Sequence, residues 1–488
     1  MADRNSDARS IAALQRFGFG PRPGDLAALG GDALDAMRQI VRAKAVAEPT
    51  GDHLVSTPQA LRELDEFRTE VQRKRAAAVA LEEARQQQQA MQPPVGQPGQ
   101  KVASIATPVP AINKPPPMAQ IPQLIFRNEA DARFRCAVEA QTGFAERLVW
   151  FWSNHFCVAV SKGQPNRVTA GSFEREAIRP HVFGKFADML LAVEKHPAML
   201  IYLDNRQSVG ANSRAGARRG RGLNENLARE IMELHTLGVG GGYSQTDVTT
   251  LAKIITGWTV INQFDEDGEL GEFRFNGNRH EPGDQTLLGK TYRDEGVKQG
   301  EKALIDIARH PSTALFIARK LARHFVADDP PQSLVDRLAR TFRDTQGDLA
   351  AVSLALLDSK EALETPPMKL RSPQEFVVAA VRATGRKFDI GQALNVSRLM
   401  GHDLWNPSGP NGFGDAEAQW ATPDGMKVRL DFASAIARQT PGSLNPSELL
   451  EQTIGPIVST ETRQAVARAE SRPQGIALML MSPEFQRR

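Results

Sequence analysis

Apolar residues recur along most of this chain at intervals of three and four, the spacing that turns one face of an α-helix toward a core. Near the start, Ile11, Leu14 and Phe17 form one such stripe. The Gly/Pro cluster from Gly18 to Gly24 predicts a turn, and helical spacing resumes over residues 26–41, so the opening reads as a helical hairpin. Residues 57–91 predict one long, highly charged helix whose thin apolar content lets it project from the body. Nine prolines lie between Pro93 and Pro122, a density that excludes helix interiors and central strands and predicts a flexible linker.

From Asn128 to Ser161 the helical pattern returns and becomes aromatic in LVWFWSNHF. A helix over residues 173–193 with a break at Pro180, and a shorter one opened by Pro197, are expected next. Ser244 and Asp247 form a start signal for a helix through Thr256 that stops at Gly257. Between residues 258 and 292, β-branched and aromatic residues mix with Gly and Asp, which predicts a hairpin of two or three strands. Helices resume over 299–387, residues 401–425 are too rich in Gly and Pro for regular structure, and two helices are expected to close the chain. The fold class is therefore mainly α: a multi-helix globular bundle with a small β-hairpin insertion near 258–292 and a Pro-rich flexible linker. Its parts are 1–91 (hairpin and charged helix), 92–123 (linker), 124–400 (central body) and 401–488 (Gly/Pro-rich loop and closing helices packing on the body).

Composition narrows the class. At 488 residues the chain has room for several domain-sized units, and 41% hydrophobic with 24% charged residues excludes a wholly disordered or membrane-embedded chain. Lys plus Arg (60) nearly balances Asp plus Glu (57), so the net charge of +3 gives no general attraction for nucleic acid or anionic membranes. No window approaches a membrane span, and the N-terminus lacks the apolar run of a secretory signal, which places the chain in the cytoplasm unless a partner exports it to the periplasm. Cys136 and Cys157 match no CxxC spacing and read as small buried hydrophobes or one bridge.

Several familiar motifs fall away. GDQTLLGKT at 283–291 has five residues between its glycines where a P-loop needs four, and no HExxH, CxxC or GxSxG occurs. The richest polar segment is GLNENLAREIMELHTLG at 222–238, read as one helix with Asn224 as N-cap and Gly238 as stop. At roughly 100° per residue, Leu223, Leu227, Ile231 and Leu234 form its packing stripe. Asn226, Glu230 and Glu233 line the margin, where partial burial raises carboxyl pKa values or a divalent metal is held. The plainer alternative makes Glu230 and Glu233 border residues paired with Arg229. His235 falls nearly opposite, so a Glu/His site must take its histidine from elsewhere. His155 is the candidate, since Leu148, Phe151, Trp152 and His155 share an apolar face, where a satisfied core histidine is the competing reading. Arg218, Arg219 and Arg221 precede a helix start with Asn224 and suit an anionic ligand, against the alternative of a solvated loop. His280 with Glu281 and Asp284, and residues 405–413, offer further polar turns, the latter as a lid or a structural turn.

RFGFGPRPGDLAAL, FWSNHF, HPAMLIYLDN, GLNENLAREIMELHTLGVGGGYSQTDVTTLAKIITGW, HEPGDQTLLGK, IARKLARHFV and LMLMSPEFQ occur in order over almost the whole chain. Together they resemble the bacterial family catalogued as domain of unknown function 1800. The resemblance implies no assigned activity. It does imply a neighbour, because such proteins are often encoded beside the family called domain of unknown function 1501, which looks like the alkaline-phosphatase and sulfatase superfamily and often bears a twin-arginine export signal. Three functions follow as expectations. One is a helical enzyme, hydrolytic and metal-assisted, in which Glu230, His155, Glu233 and Asn226 act on an anionic substrate oriented by the arginine loop. The second is a non-catalytic partner or maturation factor of the hydrolase-like neighbour, and the third a glycan- or polyanion-binding protein.

Overall fold

In a computed structural model, which describes residues 2–90, 121–219, 222–262, 265 and 267–488, the opening stripe folds as its spacing predicts. Helices Ala2–Arg16 and Ala33–Arg42 form the hairpin, and the Asp32 side chain caps the second by accepting from the Asp35 amide. Ile11, Leu14 and Phe17 are fully buried. Phe17 meets Phe144 and Phe325, each at 6.0 Å between ring centroids. Burying a side chain of that size stabilises by about 1.5–3 kcal/mol. A single apolar cluster runs from Ala13 to Phe485, so the two ends of the chain share one core.

The charged helix spans Thr57–Ala90, roughly 51 Å at 1.5 Å per residue. Its first turns have their own small core, with Ala60, Leu64 and Phe67 against Ile125 and Val168. From Gln72 to Gln87 every residue is exposed, as a projecting helix requires. Most of the Pro-rich linker, residues 92–120, lies outside the described residues, and its last three already belong to helix Ile121–Glu139.

The expected helix over 173–193 is four pieces: the end of Gln164–Phe173, a π-turn Glu174–Ile178, a 3₁₀ turn Arg179–His181 and a new helix Phe186–Lys195. Pro180 lacks an amide proton, and the wide turn carries Glu174 and Arg179 into a buried cluster. There Arg133 meets Glu174 at 2.8 Å and Arg179 meets Glu146 at 2.6 Å. Ser244 and Asp247 form a complete capping box on Gln245–Ile254. The β insertion holds four three-residue strands, not two or three, in two antiparallel pairs: Trp258–Val260 with Phe273–Phe275, and Gln285–Leu287 with Lys290–Tyr292.

Helices Val297–Ala308, Pro311–Phe325, Gln332–Asp344, Leu349–Leu357, Pro373–Thr384 and Ile390–Leu399 continue the body. After the loop the chain restarts as Pro423–Gln439, Pro446–Thr453, Thr460–Ala467, Arg472–Met481 and Pro483–Gln486, not as two helices. The reason is punctuation: a Thr, Asn or Ser cap precedes each start, repeatedly with Pro close behind it. Cys136 and Cys157 are both free thiols, so no bridge joins them. Among the described residues no helix is long and apolar enough to cross a membrane.

Candidate functional site

A cavity of about 250 Å³ opens where helix Phe144–His155, helix Pro311–Phe325 and the start of helix Pro373–Thr384 meet the Gly/Pro-rich loop. That loop is a fixed wall. The Asn154 amide donates to the Phe413 carbonyl at 3.0 Å and accepts from the Phe413 amide at 2.8 Å, pairing with the backbone as a neighbouring strand would. Gly412 makes the approach feasible: its φ is +73°, and a Cβ there would lie 2.4 Å from the Asn154 carbonyl oxygen. The Val160 amide donates to the Trp405 carbonyl and the Ser161 amide to Asn406 Oδ1. Trp405 itself is held at φ +48°, a left-handed conformation that persists only where its surroundings impose it. Of the lid and the structural turn expected for residues 405–413, the fixed turn is what the backbone shows.

Lys320 and His155 form one side of the cavity. The Lys320 Nζ donates to His155 Nδ1 at 2.9 Å, and His155 Nε2 lies 3.0 Å from the His235 carbonyl oxygen. A carbonyl can only accept, so Nε2 carries the imidazole proton and Nδ1 offers its lone pair to the ammonium. Burial, the Lys320 charge and His235 hold His155 well below the ordinary histidine range, so the ring is neutral. Burial also lowers the Lys320 amine to about 8, with Cys157 and Asp415 opposing the drop. Among the described residues no carboxylate comes within ion-pair distance of Lys320.

The adjoining wall is a network of buried ion pairs. Glu375 is ion-paired with Arg147 (3.1 Å) and accepts from Arg488 (3.0 Å) and the Ser372 amide (2.8 Å). Burial alone would raise its pKa, but the two guanidiniums outweigh that and hold it well below the carboxylate range. His324 Nε2 accepts from Arg147 at 3.1 Å, which leaves Nδ1–H to donate to Asp415 at 3.2 Å. Burial lowers His324 to about 4 although Asp415 opposes it, and Asp415 is lowered to about 2, where His324, Lys369 and Arg488 overcome its burial.

The 222–238 segment needs a correction. It is α-helical only over Asn226–Glu230, after which Ile231–His235 widens into a π-turn. Five residues on an α-helix put side chains roughly 140° apart, whereas an i→i+5 turn returns them toward one face. His235 is therefore not opposite Glu230. Burial raises the Glu230 carboxyl, His235 opposes the rise and Glu233 adds to it. His235 is buried and pairs through Nδ1 with the buried Glu194 at 2.8 Å. Among the described residues Glu230 has no hydrogen bond to His155, and the cavity is lined by His155 but not by Asn226, Glu230 or Glu233. Asn226 is exposed, and Glu230 and Glu233 are half-buried. Arg229 pairs with Glu225, not with either of them.

The N-cap is Glu225, not the expected Asn224; one residue earlier, Asn224 accepts from the Asn226 amide through Oδ1, and its own side-chain amide ties the segment to the Leu203 and Asp204 carbonyls. The side chains of Arg218 and Arg219, and all of Arg221, lie outside the described residues. Glu281 is structural, receiving the Asn212 amide at 2.9 Å and anchoring the start of the arginine loop. Among the described residues no group of three or more His, Cys, Asp and Glu is arranged to hold a metal ion.

The residues that sequence reading missed are Lys320, His324 and Asp415. IARKLARHFV was visible as a motif, but neither its lysine nor its histidine stood out within it. Residues 12–487 match the family described as Protein of unknown function (DUF1800), and the chain belongs to that family. No curated protein and no solved structure matches it.

Proposed function

We propose that this chain is an enzyme that moves a proton to or from a small anionic ligand in the cavity, with Lys320 as proton carrier and His155 as the residue that positions it. One observation carries the reading: a cavity-lining ammonium whose close partner is a neutral imidazole nitrogen and which, among the described residues, has no carboxylate within ion-pair distance. A half-buried charge without an ion-paired carboxylate carries part of the desolvation cost, and an incoming anion offsets it. The exposed Arg323 on the cavity's edge adds attraction for the same charge. An amine near 8 also satisfies the matching of catalytic pKa to ambient pH that general acid–base chemistry requires. Compared with the site expected from sequence, His155 stays and Lys320 takes the place given to Glu230.

Isothermal titration of the full chain with phosphate and sulfate tests this reading, alongside Lys320→Gln. Binding that weakens at least tenfold in the variant, and falls in wild type as pH rises through 8 to 9.5, is the expected result. Equal binding by both proteins removes Lys320 from the site and the reading with it. Turnover is tested by screening wild type against ester, phosphate and carboxylate substrates, with Lys320→Gln as the inactive control.

A further inference from the structure

The cavity carries more chemistry than an ammonium. Trp405, Trp420, Phe413 and His402 also line it, with His402 stacked on Trp420 at 4.8 Å and 27°. Trp150, 7% exposed, lines it too, and its indole N–H has no hydrogen-bond partner. Arg133 lies over the face of that indole at 4.1 Å, but a guanidinium only donates, so it cannot satisfy the N–H. The His402 Nδ1 is buried and unpartnered as well.

Burial drives the His402 imidazole to about 3, with Arg133 adding to the effect, so the ring is neutral. Buried polar atoms left without partners are uncommon, and both of these belong to residues that line the cavity, where a ligand could complete their bonding after a small side-chain adjustment. The indole can only donate. A neutral imidazole nitrogen either donates or accepts. A hydroxyl serves both, since it accepts from Trp150 and exchanges either role with His402. The aromatic faces suit the C–H face of a saturated ring. At roughly 30 Å³ per water, 250 Å³ is the room of about eight waters, the scale of one hydroxylated six-membered ring.

We infer that the ligand is an anionic monosaccharide, its ring against the tryptophan wall, a hydroxyl on Trp150 Nε1 and His402 Nδ1, and its phosphate, sulfate or carboxylate toward Lys320. This rests on the proposed anion site and adds the ring that bears the anion.

Saturation-transfer NMR and calorimetry on the full chain separate the two claims, with inorganic phosphate, glycerol 3-phosphate, cyclohexyl phosphate, glucose 6-phosphate and glucuronate as probes. The expected order places glucose 6-phosphate at least tenfold tighter than cyclohexyl phosphate, which has the ring and charge without hydroxyls, and tenfold tighter than glycerol 3-phosphate, which has hydroxyls without the ring. Trp150→Phe keeps the aromatic face and loses the N–H, and it should reduce the preference for glucose 6-phosphate over cyclohexyl phosphate about tenfold. Equal affinity for all the phosphate esters, or a preference untouched by Trp150→Phe, overturns the sugar assignment and leaves the anion site standing. Loss of every interaction, inorganic phosphate included, overturns the anion site itself. Glucuronate binding tighter than glucose 6-phosphate keeps the sugar and assigns the anion as carboxylate.

Discussion

Two walls of one cavity bury charge in opposite ways. On the first, Glu375 sits between Arg147 and Arg488, and His324 bridges Arg147 to Asp415, so each carboxylate has a cation or an N–H donor within the protein. On the second, the close partner of Lys320 is a neutral nitrogen of His155. Both walls join the same helices, so position does not distinguish them. What differs is the pairing: on the first wall the carboxylates are ion-paired, while on the second, among the described residues, the ammonium has no carboxylate within ion-pair distance. Satisfied networks hold a fold together, and an unsatisfied group in a cavity is where binding free energy is available.

The sharpest way to break this comparison is to unbalance the satisfied wall. Glu375→Gln leaves the guanidiniums of Arg147 and Arg488 buried without their carboxylate, and such removal costs about 3–5 kcal/mol. Urea unfolding should show a loss in that range. A loss below about 1 kcal/mol would mean the network is not what joins these helices.

Acid gives the next largest effect, and its sign follows from the depressed histidines. A histidine whose folded pKa lies below its unfolded value stays neutral in the fold while the unfolded chain takes up a proton, so stability falls as pH drops below about 6.5. For His324, lowered to about 4, the loss accumulates from pH 6.5 down to 4 and amounts to about 3 kcal/mol by the lower limit. Below that, Asp415 extends the loss as pH falls through 3.8 toward 2. Thermal unfolding across pH 4–7 should show this slope, flattened in His324→Gln. An unchanged slope in the variant would assign the acid sensitivity elsewhere.

A smaller effect is expected at the loop. Asn154→Ala removes both bonds to Phe413 and leaves two backbone groups to find water, a loss of about 1–3 kcal/mol. Limited proteolysis reads it directly, with new cleavage between residues 401 and 422. An unchanged digest would show that the contacts of Val160 and Ser161 hold the loop unaided.

The sequence made the helices legible because their caps and stripes are local: Ser244 with Asp247, or Ile11 with Leu14 and Phe17, carry their meaning within a few residues. It also exposed His155, since four residues of one helix define that apolar face. The π-turn at 231–235 was not legible, because the same residues suit an α-helix and the extra residue per turn is settled by tertiary partners such as the Glu194–His235 pair. Asn154 was visible only as an unspecific amide, and its partner lies 259 residues away. Lys320 was hidden by the same distance problem: nothing within IARKLARHFV shows that its lysine meets His155, 165 residues earlier.

The smallest predicted change in stability is the most informative about function. Lys320→Met replaces a desolvated ammonium with an apolar side chain of similar length. For a paired charge the lost attraction would dominate, as it does at Glu375. Here no carboxylate loses a partner, and the His155 Nδ1 loses a single donor while keeping its bond to the His235 carbonyl through Nε2. Relief of the ammonium's desolvation offsets that loss, so stability at pH 7 should stay within about 1 kcal/mol of wild type or exceed it. Above pH 8 the folded amine is already neutral while the unfolded one remains charged up to 10.5, so wild-type stability should gain on the variant between those values. Stability retained with phosphate binding lost would separate the two walls cleanly. A variant destabilised as severely as Glu375→Gln would mean that Lys320 belongs to the structural network after all.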